Sequence, residues 1–221
     1  MAKRHLSPIV AIDVAMLSVR NGDLHVLLLQ RSEAPYAGFW ALPGALVDPD
    51  EDATLDHTAR RMLREKVGID GMPLEQIGAF SGKDRDTRDW SVSVAFAAPL
   101  SPQHAEVIDT GAPSSVRKWF SVRKLPSRMA FDHHAMIQQA LQQLIVKLEM
   151  GGYPTAFVPK QFTLAELQAA SEAILGRALD KSAFRRVVKT TLEQKVPPFS
   201  EISGEFKTGT HRPAQLYKEK K

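Results

Sequence analysis

Residues 162–186 read FTLAELQAASEAILGRALDKSAFRR, and this stretch decides the fold of the C-terminal part of the chain. Thr163 and Glu166 have the spacing of a capping box, which predicts the start of a helix. That helix should end at Gly176, and four residues later Asp180 is placed to cap a second helix. Two short helices joined by a tight turn with a glycine predict a helix-turn-helix.

The second helix should carry its apolar and its charged side chains on different faces. Phe184, Val187, Val188 and Thr191 recur at helical spacing and form the predicted inward stripe. Cations four residues apart share a face. The residues of this helix that we expect to contact DNA are Lys181, Ser182, Arg185, Arg186 and Lys189.

Beyond this helix, Glu201 to Tyr217 has the pattern of a strand, a turn and a second strand, which predicts a β-hairpin wing. A cationic helix followed by a cationic hairpin tip is typical of duplex DNA binding, with the helix in the major groove and the wing on phosphate or the minor groove. The alternative is a merely solvated charged surface. The wing residues expected to contact DNA are Lys207, Thr208, His211 and Arg212.

The charge of the chain is uneven. Its 221 residues carry a net charge of +4. Residues 1–150 hold 17 Lys and Arg against 18 Asp and Glu, a net of −1, whereas residues 151–221 hold 12 against 7, a net of +5. We therefore predict two domains, 1–150 and 151–221, divided at Gly151-Gly152, with an anionic partner for the second.

Composition excludes several classes of protein. The chain has no cysteine, which rules out a disulfide scaffold, a cysteine zinc site and an iron–sulfur cluster. No apolar run reaches the ~18 residues of a membrane span. We expect a cytoplasmic protein with no membrane partner.

The first domain is expected to be rich in strands. Asn21-Gly22 lies between two apolar runs and predicts a hairpin. Residues 90–96 alternate, and we expect Trp90 and the valines to face inward with Ser91 and Ser93 on the other face. A long helix should run from about Asp132, its expected N-cap, to Glu149 and join the two domains.

Residues 40–69 resemble a Nudix box, the motif of hydrolases that cleave nucleoside diphosphates linked to another group. Glu51, Arg61, Glu65 and Gly68 match the motif. In that box, glutamates on one face of a helix bind Mg²⁺ that is bridged to a pyrophosphate.

The departures from the box are chemically important. Ala45 replaces the opening glycine, and Met62 and Lys66 replace two helix glutamates. Nine residues instead of seven separate Glu51 from Arg61. Because an ammonium stands where the cation would bind, we expect no metal site, no catalytic residue and no cofactor, with Mg²⁺ relevant only to a residual hydrolase activity.

The resemblance extends over nearly the whole chain. The stretches LLLQRSEAPYAGFWALPGALV, GAFSGKDRDTRDWSVSVAF, FDHHAMIQQAL, FTLAELQAASEAILGRALDKSAFRR and GTHRPAQLY look like the bacterial Nudix-related transcriptional regulators of NrtR type. This implies an α+β fold, an αβα sandwich with a mixed sheet, followed by a small winged helix-turn-helix domain. It also implies a homodimeric repressor on palindromic operator DNA, a nucleotide effector such as ADP-ribose, and control of NAD-cofactor genes.

The charged loop at residues 83–90 is the expected effector contact. It can present guanidinium groups to a pyrophosphate and an aromatic ring to a base. Its alternating charges also fit a loop held only by its own ion pairs. His133 and His134 are interpreted as capping or packing residues. The candidate effector-binding residues are Arg31, Phe39, Glu65, Lys83, Arg85, Arg88 and Trp90.

Two other functions remain open at this point. One is an active ADP-ribose-type Nudix pyrophosphohydrolase, in which Glu51 and Glu65 hold a metal through water and the C-terminal domain serves dimerisation. The other is an RNA-binding regulator, which is less favoured because no run of aromatic residues accompanies the basic face.

Overall fold

The computed structural model describes residues 7–111, 116–208 and 213–220. The N-terminal domain is built on one mixed sheet. Its strands are β1 (Ile9–Arg20), β2 (Asp23–Gln30), β3 (Trp40–Ala41), β4 (Gly44–Leu46), β5 (Glu75–Gly82), β6 (Ser91–Leu100) and β7 (Arg117–Ser121).

The main path of the sheet has the order β3-β2-β1-β6-β5, while β4 pairs with β1 and β7 with β2. The β1–β6 pair is parallel and the other pairs are antiparallel. β1 and β2 meet at the predicted turn, where Asn21 and Gly22 both take positive φ (51° and 76°). The long β1 strand thus lies in the middle of the sheet and carries residues toward the site described below.

Helices cover both faces of this sheet. α1 (Leu55–Met62) continues as a π-helical turn, Leu63–Val67, and packs on one face through Met62 and Leu63. α2 (Pro102–Thr110) adds Ile108 to the same apolar cluster. On the other face α3 (His133–Glu149) buries Met136 and Ile137. The αβα sandwich expected from the sequence is therefore present.

The C-terminal domain is a winged helix. Its helices are α4 (Leu164–Leu175) and α5 (Lys181–Leu192), and its strands are β8 (Gln161–Phe162), β9 (Phe199–Lys207) and β10 (Ala214–Glu219) in the order β8-β10-β9. Both bonds of the Thr163–Glu166 capping box form, and the Asp180 side chain accepts from the Ala183 amide at 2.7 Å. The two capping predictions for this domain are confirmed.

Three local predictions are wrong. Val187 is 55% exposed, while Val188 alone of the two valines is buried in the core. The Asp132 side chain makes no cap bond, because it is bonded to Arg85 instead. Ser91 and Ser93 of β6 are fully buried and Trp90, just before the strand, is 43% exposed, whereas Phe96 is buried as expected, so both faces of β6 are covered.

The two domains share one apolar core. α4 packs against β1, β2 and α3, and Leu24 of the hairpin lies in the same buried cluster as Ile174 of α4. Arg123, which follows β7, adds a polar link. Its Nη1 donates to the Ala173 carbonyl at 3.0 Å and its Nη2 to the Ile174 carbonyl at 2.7 Å, while Nη1 also pairs with Asp23 at 2.9 Å. Arg123 therefore caps the C-terminus of α4 from the neighbouring domain.

Within the part of the chain that the structure describes, no helix combines the length and the apolar character needed to cross a bilayer.

Candidate functional site

A polar cavity of about 490 Å³ opens beside β1 in the N-terminal domain. Its walls come from β1, the end of β2, the segment 41–46, the π-helical turn, the charged loop and the residues around the start of α3. Its charged and aromatic lining residues are Asp13, Arg31, Glu33, Lys66, Arg85, Asp86, Arg88, Phe131 and His133.

Asp13 is a buried carboxylate that lines the cavity. Its Oδ2 accepts from the Ser93 hydroxyl at 2.6 Å, and its Oδ1 lies 3.3 Å from His133 Nε2. Since His133 Nδ1 accepts from the Leu42 amide at 2.9 Å, the ring proton is on Nε2, the nitrogen that faces Asp13. The approach of β4 is so close that a Cβ at Gly44 would lie 2.2 Å from Asp13 Oδ1. The start of α3 is thus tied to β1 and to the loop before β4.

Arg85 is the most enclosed cation of the site, with a side chain only 8% exposed. It forms a bidentate pair with Asp132 at 3.1 and 2.8 Å and donates to the Ser91 hydroxyl at 3.1 Å. This contact and the Ser93–Asp13 bond explain why the two serines of β6 are buried: they serve the polar site rather than solvent. The Nε and Nη2 groups of Arg85 are thus already engaged by a carboxylate, and an anionic ligand would have to compete with Asp132 for them.

Phe131 stands between two guanidinium groups on the cavity wall. The Arg31 guanidinium lies 5.1 Å and that of Arg85 5.9 Å from the ring centroid, which is cation–π geometry. Phe131 also holds a positive φ of 51°, an unusual backbone conformation for a bulky residue. Arg88 pairs with Asp86 at 2.7 Å, so part of the charged loop is held by its own ion pair.

Lys66 projects from the π-helical turn into the same cavity. Its Nζ donates to the Gly44 carbonyl at 2.6 Å. The side chain keeps contact with solvent, and partial burial of the ammonium lowers the pKa of Lys66 below its ordinary value. The position of a metal-binding glutamate in the Nudix box is therefore occupied by a cation that faces the cavity.

The remaining carboxylates of the box point elsewhere. Arg61 binds the buried Asp52 through two hydrogen bonds of 2.9 and 2.7 Å, and it lies 3.8 Å from Glu51 and 3.4 Å from Glu65. These hydrogen bonds hold the pKa of Asp52 well below its usual range. Met62 is fully buried in the apolar core.

The metal that the Nudix box implies therefore does not fit the residues present. Among residues 7–111, 116–208 and 213–220, no group of three or more His, Asp or Glu side chains is arranged to hold a metal ion.

The structure brings only some of the candidate effector residues together. Arg31, Arg85 and Arg88 line the cavity. The candidates that do not line it are Phe39, Glu65, Lys83 and Trp90. The sequence reasoning missed the cavity roles of Asp13, Phe131, His133 and Lys66. Among these, Lys66 carries a signal in the sequence, since it stands where the Nudix box has a metal-binding glutamate.

The candidate nucleic-acid interface is the outer face of α5. Its predicted residues Lys181, Ser182, Arg185, Arg186 and Lys189 are all exposed. None of these cations takes part in an ion pair with another described residue.

The wing supplies fewer described residues. Thr208 is exposed. Lys207 donates to Glu166 at 2.7 Å, which links the wing to the start of α4. The predicted contacts His211 and Arg212 lie outside the described residues. The hydroxyl of Tyr217 on β10 donates to Glu201 at 3.1 Å, and burial together with this bond raises the pKa of Tyr217 to about 12.

Two family descriptions match the chain. Residues 10–140 match the NUDIX domain family, and residues 154–218 match the NrtR DNA-binding winged helix domain. The two matched segments correspond to the sandwich and to the winged helix.

Individual relatives match over nearly the full length. The ADPR responsive transcriptional repressor NtrR of Acinetobacter baylyi is 39% identical over 214 residues, which cover 96% of this chain and 82% of the relative. The crystal structure of Shewanella oneidensis NrtR complexed with a 27mer DNA has a TM-score of 0.80 at 32% identity and covers 96% of this chain and 93% of the other. The NUDIX domain of the same Shewanella protein, complexed with ADP ribose, matches with a TM-score of 0.52 at 30% identity, covering 65% of this chain and 93% of that domain.

Proposed function

The chain belongs to the NrtR family of Nudix-domain transcriptional regulators, and from that premise we propose that it is a repressor whose affinity for operator DNA is controlled by ADP-ribose or a related nucleotide. The observation that carries the proposal is the presence, in one chain, of a cavity lined by convergent guanidinium groups and of a cationic helix face that no described residue neutralises. The first suits a diphosphate and the second suits a DNA backbone.

The cavity has the chemistry of a nucleotide effector site. Arg31 and Arg85 offer planar N–H groups, and the fixed Asp13–His133 pair offers polar groups in the lining. A pyrophosphate would compete with Asp132 for Arg85, so ligand binding and the position of the first turn of α3 would be coupled.

Coupling to the DNA-binding domain would run through α3. Phe131 and His133 at its start line the cavity, and the helix packs against α4 further along. In a homodimer on a palindrome, two α5 helices must lie about one helical turn of DNA apart (~34–36 Å). A ligand that favours a different spacing would lower operator affinity by the difference between its affinities for the two states.

We propose that the protein has no hydrolase activity and needs no cofactor. Two of the glutamates of the Nudix box are replaced by Met62, which is buried in the core, and by Lys66, which faces the cavity. The protein would act in the bacterial cytoplasm, on operators of NAD-cofactor genes.

The DNA-binding half of the proposal can be tested with the full chain and duplexes that contain a randomised centre. Selection should enrich a two-fold symmetric sequence. With a selected duplex, fluorescence anisotropy should show that Arg185→Ala weakens binding by about 10-fold or more, since a base or phosphate contact is worth about 1–3 kcal/mol. The matched control is Arg64→Ala, which removes the same charge from the N-terminal domain and should leave the affinity unchanged. Equal affinities of the Arg185 variant and the wild type would exclude α5 as the recognition helix.

The effector half is tested in the same assay by adding ADP-ribose to the preformed complex, which should release the duplex. Incubation with ADP-ribose and Mg²⁺ should yield no AMP. Turnover that Glu65→Gln abolishes would instead establish the pyrophosphohydrolase.

A further inference from the structure

The Lys66 ammonium stands on the cavity wall where a Nudix hydrolase would carry a metal-binding carboxylate. It is held there by the Gly44 carbonyl at 2.6 Å, and its charge interacts with those of Asp13 and Arg31. A divalent ion in such a site would supply positive charge to the phosphate oxygens of the ligand. In this protein the same wall carries the positive charge of the Lys66 side chain.

The charge balance of the cavity depends on this residue. The charged side chains among its described lining residues are the cations Arg31, Lys66, Arg85 and Arg88 and the carboxylates Asp13, Glu33 and Asp86. Four cations against three carboxylates leave a surplus of one positive charge. Without Lys66 the formal charges of the described lining residues would sum to zero.

We propose that Lys66 replaces the divalent cation in binding the diphosphate of the effector, so that the protein recognises nucleoside diphosphate ligands without any metal ion. This inference rests on the proposed function and specifies how its effector site works. An ammonium supplies one charge and up to three N–H donors on a flexible stem, whereas Mg²⁺ requires several oxygen ligands in octahedral geometry.

The experiment is isothermal titration of the full chain with ADP-ribose, once in excess EDTA and once in excess MgCl₂. The wild type should bind with the same affinity in both buffers, within about twofold. Lys66→Met keeps the length of the side chain but removes the charge and its hydrogen bonds, and should weaken binding about 10-fold or more in both buffers. Lys66→Arg should retain part of the affinity.

Arg64→Met is the matched control. Arg64 lies on the same π-helical turn, pairs with Asp70 and does not line the cavity, so its variant should bind ADP-ribose as the wild type does. Operator affinity of every variant, measured by anisotropy, reports whether the chain is folded.

The possible failures are distinguishable. Binding of ADP-ribose by the wild type only in MgCl₂, or unchanged binding by Lys66→Met, would overturn the role of Lys66 and leave the proposed repressor function standing. Absence of binding in both buffers would refute the proposed effector and this inference together.

Discussion

Arg123→Ala should destabilise the whole protein, because the Arg123 guanidinium of the N-terminal domain caps the C-terminus of α4 in the C-terminal domain. Its two hydrogen bonds to the carbonyls of Ala173 and Ile174 contribute about 1 kcal/mol each. A cation at a helix C-terminus adds about 0.5 kcal/mol. The pair with Asp23 joins side chains that are 33% and 38% exposed, so solvent screening limits it to about 0.5 kcal/mol. We expect a loss of about 2–3 kcal/mol in the free energy of unfolding.

The measurement is guanidinium chloride unfolding followed by two probes. All three tryptophans, Trp40, Trp90 and Trp119, lie in the N-terminal domain, whereas circular dichroism reports both domains. With a shared core, both probes should shift to the same lower midpoint in Arg123→Ala. Asp23→Asn, which removes only the ion pair, should cost less than about 1 kcal/mol. A loss below about 0.5 kcal/mol for Arg123→Ala, or equal losses for the two variants, would refute this account of the contact.

Three further outcomes follow from the structure. In a urea titration, Val188→Ala should lower the free energy of unfolding by about 2 kcal/mol because the side chain is 1% exposed, whereas Val187→Ala, at 55% exposure, should lower it by less than about 0.5 kcal/mol. Equal losses would contradict the observed orientation of α5. Thr163→Ala should cost about 1 kcal/mol through loss of the capping box, and an unchanged midpoint would show that the cap does not limit stability. Hydrogen bonds from Arg61 lower the pKa of Asp52, so their stabilisation is complete above pH ~4 and is lost as the pH falls further. The difference in thermal unfolding midpoint between the wild type and Asp52→Asn should therefore become smaller from pH 7 to pH 3. A difference that stays constant would refute the linkage.

The winged helix could be predicted because its determinants are local. The capping box, the glycine turn and the Asp180 cap each lie within a few residues of the backbone groups that they satisfy. The exposure of Val187 could not be predicted in this way, since helical spacing leaves the width of the buried stripe undetermined and tertiary packing on α5 decides it.

The candidate effector cavity was only partly predictable, because its parts come from distant segments. Asp13 and His133 are 120 residues apart and meet through the sheet and α3. The serines of β6 looked like a solvent face, and only the buried partners Arg85 and Asp13 explain why they point inward. Charged residues near the loop were identified from their type, but sequence alone does not show which of them turn toward a common cavity.

The shared core also bears on how such proteins can evolve. The β1–β2 hairpin buries Leu24 in one cluster with Ile174 of α4, and Gly176 leaves the space that the Arg123 guanidinium occupies, since a Cβ there would lie 2.7 Å from it. If this winged helix were fused to a different sensor domain, it would expose the apolar surface of α4 and leave the carbonyls at the C-terminus of α4 without their cap. Recombination of the two domains as independent modules is therefore disfavoured, and we expect substitutions at the hairpin, at Arg123 and on α4 to be inherited together.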